Sequence, residues 1–73
     1  MEKASPFLSI IIPTYNRPAQ LAVCLKAITK LSYPADHFEV IIVDDGSETS
    51  PDRVVASFRH LLDITLIRQV HAG

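Results

Sequence analysis

The chain has 73 residues, 48% of them hydrophobic, with seven basic and eight acidic side chains and a formal net charge of −1. It has no basic stripe to grip nucleic acid and no apolar run long enough to span a bilayer, and its single cysteine, Cys24, excludes an internal disulfide framework. A domain this small buries only about 60% of the surface its unfolded chain exposes, so so much apolar sequence points to surface made to be covered by chain beyond these residues.

Residues 1–7 lack the apolar core of a signal peptide and are expected to form a disordered leader, with the folded part over 8–73. Together with the lone cysteine, this leads us to expect a cytosolic chain, or the cytosolic part of a longer one. Leu8-Ser-Ile-Ile-Ile12 reads as a strand that ends in Pro13-Thr14-Tyr15-Asn16-Arg17. Asn16 is suited to cap a helix, with Pro18 just inside its start, where a missing N–H costs nothing. Leu21, Cys24, Leu25, Ile28 and Leu31 recur at three- and four-residue spacing, which predicts a helix over 17–31. Pro34 blocks further helix in the loop that follows.

Residues 38–43 form the second predicted strand. The run Val40 to Val43 is continuously apolar and β-branched, the pattern of a strand buried on both faces in a parallel sheet. Asp44 to Ser50 is turn chemistry, and Ser50-Pro51 repeats the cap-then-proline pattern. Val54, Val55, Phe58, Leu61 and Leu62 give a second helix over 51–60 its apolar face, and residues 64–70 read as a third strand.

The order is β-α-β-α-β. Right-handed crossovers make the strands parallel in the order 3-2-1, half of a doubly wound, Rossmann-like α/β nucleotide-binding sheet. The edge beyond the first strand would be open. The sequence stops at His71-Ala72-Gly73, directly after the third strand, and the expectation is an incomplete sheet.

Ligands of open α/β sheets bind at the carboxyl ends of the strands, where this chain places Tyr15, Asp44 and Asp45. Two adjacent acids suit a cation, a ribose hydroxyl or a base N–H; they equally suit a tight turn with Gly46 and Ser47. Their position, and the repulsion between neighbouring carboxylates, favours function. Tyr15 has the ring to stack on a heterocycle, against the alternative of packing on the first helix. Arg17 is placed to meet a phosphate at the helix N-terminus, or to stand solvated. Cys24 lies on the apolar stripe and reads as core. His37 and His60 read as surface residues, whereas His71 falls on the same sheet edge as Tyr15 and Asp45. No Gly-x-Gly-x-x-Gly and no Walker-type Gly-Lys-Ser/Thr occurs.

Ser9-Ile-Ile-Ile-Pro-Thr-Tyr-Asn-Arg17, followed about thirty residues later by Glu39-Val-Ile-Ile-Val-Asp-Asp-Gly-Ser47, resembles the N-terminal part of a family 2 glycosyltransferase. Either motif alone is weak; the pair at this spacing is specific. The resemblance covers nearly all of the chain and a third or less of such a catalytic domain. It implies the GT-A fold and inverting transfer from a nucleotide-diphosphate sugar, expected to be a UDP-sugar, to an acceptor hydroxyl. It implies that Tyr15 stacks on the base, that the Pro13 and Thr14 backbone lines the base pocket, and that Asp45 accepts the base N3–H with Asp44 in support. It also implies a divalent metal (Mg or Mn) on a later Asp-x-Asp motif and a still later general base, neither of which falls in these residues. Glu48 departs slightly from the family pattern. On this reading no residue of the chain is catalytic, and the partners are the nucleotide sugar and the remainder of the domain, with any membrane attachment made through absent segments.

A non-catalytic remnant is the alternative that the sequence leaves open. A receiver-like phosphoacceptor domain would need its acidic strand first and an aspartate after the third strand, where Gln69-Val70-His71 stands. A nicotinamide-dependent dehydrogenase would need a glycine-rich first turn, which Pro13-Thr-Tyr-Asn16 is not.

Overall fold

The computed structural model describes residues 7–70. The leader expected over 1–7, Phe7 excepted, and His71 lie outside the described residues. The elements run β1 (Leu8–Thr14), α1 (Pro18–Ile28), a single 3-10 turn (Ala35–His37), β2 (Phe38–Asp44), α2 (Asp52–Phe58) and β3 (Ile64–Arg68). The strands form one parallel sheet in the order β1-β2-β3. This is the predicted β-α-β-α-β unit.

The boundaries move for local reasons. β1 continues through Pro13 to Thr14, because β1 is an edge among the described strands and an edge tolerates a residue with no N–H to donate. α1 stops at Ile28 rather than Leu31. Lys30 and Leu31 donate to the carbonyls of Ala27 and Ile28 at 3.1 Å, three residues back, and the Thr29 hydroxyl bonds the Lys26 carbonyl. The tightened last turn ends the helix, and Leu31 is left half exposed. β3 ends at Arg68, short of the predicted 70.

Register fixes which residues share a face. Ile10, Val40 and Ile64 lie abreast, then Ile12, Ile42 and Leu66, then Thr14, Asp44 and Arg68. Leu21, Leu25 and Ile28 of α1 and Val55 of α2 close over this face and form one core with Phe38, Val40, Ile42, Leu62 and Ile64. Consecutive strand order with right-handed crossovers puts both helices on the same side.

That arrangement corrects the expectation that β2 is buried on both faces. Phe38, Val40, Ile42 and Asp44 are buried under the helices, while Glu39, Ile41 and Val43 are only half-buried. Beside them Ile11 is 63% exposed and Ile67 46%. The continuous apolar run is real, but among the described residues nothing packs on its second face.

Candidate nucleotide site

β1 and β2 run side by side, so their carboxyl ends meet. The Asp45 N–H donates to the Thr14 carbonyl at 3.0 Å and carries the ladder one step past the strands. Above this junction opens a cleft of about 480 Å³, within the range of small-ligand sites. Pro13, Thr14, Tyr15, Arg17 and Asp45 line it, with Ile12 of β1 and Gln20, Leu21 and Cys24 of α1.

The structure therefore brings together five of the six residues singled out from the sequence, drawn from the end of β1 and the loops that follow β1 and β2. Tyr15 is 41% exposed, its ring accessible from the cleft. Arg17 is the N-cap residue of α1, makes no side-chain cap, and no acid occupies the first helical turn. The exposed amide ends of that turn leave a mildly positive opening beside the cleft. Cys24, expected in the core, is half-buried on the cleft wall. Gln20 is the polar lining residue that sequence reasoning passed over; it lies one turn before Cys24 on α1, and their shared helical face was the signal available.

Asp44 is not brought to the cleft. Its side chain faces the helix layer and is fully buried. One carboxylate oxygen accepts the Ser47 hydroxyl; the other accepts the Ser47 N–H at 3.2 Å and Arg68 Nε at 2.9 Å. Arg68 also donates to the Ser47 carbonyl at 2.9 Å. The two acids have different surroundings: Asp44, the last residue of β2, is enclosed by Ser47 and Arg68, whereas Asp45, one residue further on, lines the cleft. Asp44 organises the turn from below, and Asp45 faces the cleft.

Burial pushes the Asp44 carboxyl up, but the hydrogen bonds from Ser47 and Arg68, and the Arg68 charge, outweigh it and hold the group below its ordinary value of 3.8. The folded state thus binds this proton less readily than the unfolded chain. The stabilisation is present above the unfolded pKa, about 4, and is lost as pH falls through the lower folded value. We expect the thermal midpoint to fall below about pH 4, and Asp44→Asn to flatten that part of the profile. A profile unchanged by Asp44→Asn would remove Asp44 as its cause.

Asn16 also departs from its predicted role. Arg17, not Asn16, is the helix N-cap. Asn16 holds a left-handed backbone, φ 50°, a region that asparagine tolerates better than most residues. Its N–H donates to Ser47 Oγ at 2.7 Å, and its Oδ1 accepts the Glu48 N–H at 2.8 Å. Gly46, at φ 78°, makes the turn that brings Ser47 and Glu48 into reach. Gln69, also passed over in the sequence, donates its N–H to the Asp44 carbonyl at 2.9 Å and places its side-chain amide 3.4 Å from Asp45 Oδ1.

A metal does not fit these residues. Among the described residues no group of three or more His, Cys, Asp or Glu side chains could hold an ion, and the Asp44 carboxylate is already committed to Ser47 and Arg68.

The model of Glycosyl transferase family 2 matches residues 9–72. The chain belongs to that family. A glycosyltransferase of the archaeon Haloferax volcanii, AglE, is 36% identical over 63 residues, which span 86% of this chain and 21% of the relative. Among solved structures, S. aureus TarS superposes with a TM-score of 0.84 at 29% identity, over 92% of this chain and 20% of TarS. The mannosyltransferase PcManGT of Pyrobaculum calidifontis, solved with GDP-Man and Mn2+, gives a TM-score of 0.82 at 29% identity, over 94% of this chain and 21% of its own. TarS has also been solved with UDP-GlcNAc. This family 2 chain thus spans about a fifth of the length of these relatives, and its α/β sheet is the Rossmann-like part of their GT-A fold.

Proposed function

We infer that the chain is the donor-nucleotide-binding portion of an inverting glycosyltransferase, with a UDP-sugar as donor and a hydroxyl as acceptor. The observation that carries this reading is the meeting of Tyr15 and Asp45 in one cleft, from two loops tied at their base by the Asp45 N–H to Thr14 carbonyl bond. An aromatic ring stacks on any base; a carboxylate beside it selects a base with a ring N–H. Uracil has that proton at N3 and cytosine does not. Pro13 and Thr14 line the pocket through their backbone, and Arg17 at the opening of α1 faces the diphosphate. Asp44 supports the base pocket from below.

The ligands carried by the relatives are in keeping with this. One is solved with UDP-GlcNAc and one with GDP-Man, and guanine, like uracil, presents a ring N–H to an acceptor. The divalent metal that the resemblance implies would be held outside the described residues, so no step is assigned to it here. Transfer itself is a property of the longer domain, and cytoplasmic placement belongs with the same reading.

The test is an amide NMR titration of the 73-residue chain. UDP should shift resonances clustered at residues 13–17 and 44–47, with CDP binding about tenfold more weakly, the discrimination of one charge-assisted hydrogen bond. Shifts elsewhere, or equal affinity for both nucleotides, would remove the base-pocket assignment.

A further inference from the structure

We propose that Asn16, Ser47, Asp44 and Arg68 act as positioning residues that set Tyr15 and Asp45 relative to one another, and so determine the base selectivity of the cleft. The inference rests on the nucleotide-binding reading above.

The two groups that would read the base lie on different loops. Tyr15 immediately precedes Asn16, and Asp45 lies two residues before Ser47. Each loop uses one residue to hold the other: Asn16 donates its N–H to the Ser47 hydroxyl and accepts the Glu48 N–H on its side chain. The direction of the first bond is fixed from below. A serine hydroxyl has one proton, and here it goes to Asp44, which leaves a lone pair aimed at the Asn16 N–H. Arg68 bonds the second Asp44 oxygen and the Ser47 carbonyl, so the carboxylate cannot turn without losing its bonds to Arg68 and Ser47. The relay therefore runs from β3 through the buried carboxylate to the β2 loop and across to the β1 loop. Its last member, Asn16, is exposed, so it can be changed without opening a cavity in the core.

Dissociation constants for UDP and CDP would be measured on wild type, Asn16→Asp, Asn16→Gly and Asn16→Ala, with dispersed amide spectra as the criterion of folding. Asn16→Asp keeps the acceptor oxygen and should keep the wild-type UDP preference. Asn16→Gly keeps the left-handed backbone but loses the oxygen, and Asn16→Ala loses both; each should cut the UDP-over-CDP preference by about fivefold. Should alanine at this position fail to fold, the glycine variant decides. A folded Asn16→Gly with the wild-type preference would overturn the proposal, and so would an equal loss for both nucleotides, the mark of a general structural role. A wild type that does not distinguish UDP from CDP would overturn the base-reading assignment itself, and this inference with it.

Discussion

Asp44→Ala is expected to lower stability by about 3 kcal/mol, because it removes the buried member of an ion pair and strands the groups that converge on it. A domain of this size has a total stability near 5 kcal/mol, so the thermal midpoint should drop by more than about 10 °C. Three donors lose their acceptor together: the Ser47 hydroxyl, the Ser47 N–H and Arg68 Nε. Arg68 is 43% exposed and can turn to water, which moderates the cost, whereas Ser47 is buried and cannot. The contrast lies on the open face of the sheet, where Ser9 Oγ donates to Glu39 Oε2 at 2.6 Å. That bond is short but solvated, and Ser9→Ala should change stability by less than about 0.5 kcal/mol. Thermal melts of the two variants check the comparison. A fall of only a few degrees in Asp44→Ala would show that the buried carboxylate is dispensable.

The second large effect is on binding and divides by chemistry. Tyr15→Ala should weaken UDP and CDP alike, each by about tenfold, since stacking on an aromatic ring is worth roughly 1–3 kcal/mol whatever the base. Tyr15→Phe keeps the ring and should keep the affinity. Asp45→Ala should weaken UDP by about tenfold or more, the value of a charge-assisted hydrogen bond, and leave CDP unchanged. Calorimetric titration of both nucleotides against the three variants reads the pattern directly. If Tyr15→Phe behaved as Tyr15→Ala, the hydroxyl and not the ring would be the contact. If Asp45→Ala lost both nucleotides equally, the carboxylate would not be reading the base edge.

The strands were legible because their signal is local. Ile10 to Ile12 and Val40 to Val43 declare themselves by β-branching, and the three- and four-residue spacing of Leu21, Leu25 and Ile28 declares α1. From those the topology follows by the handedness of crossovers, and with it the meeting of Tyr15 and Asp45. What the sequence hid depends on neighbours distant in the chain. Asn16 looks like a helix cap until the β2 loop arrives with Ser47 and Glu48 to occupy both its backbone and its side chain. Asp44 and Asp45 look like a pair until strand alternation sends one beneath the helices to Arg68, 24 residues further on. The run Val40 to Val43 looks buried on both sides because a continuous apolar run cannot say whether the covering layer lies within the same stretch of chain.

The latch between Asn16 and the Ser47 turn has a consequence for how such a site changes over generations. On the proposed reading, the stacking ring, the carboxylate and the bonds that hold them in register all fall between residues 15 and 68, from three strands that are neighbours both in space and in order. An exchange of DNA with breakpoints outside that interval transfers base preference intact into a new protein. A breakpoint inside α1 or the turn after it pairs a ring from one parent with a carboxylate from another, and the match between the two loops is lost even though each half remains well formed. If these residues read the base as proposed, base recognition is inherited as a block and can be recombined with new sugar or acceptor specificities without being rebuilt.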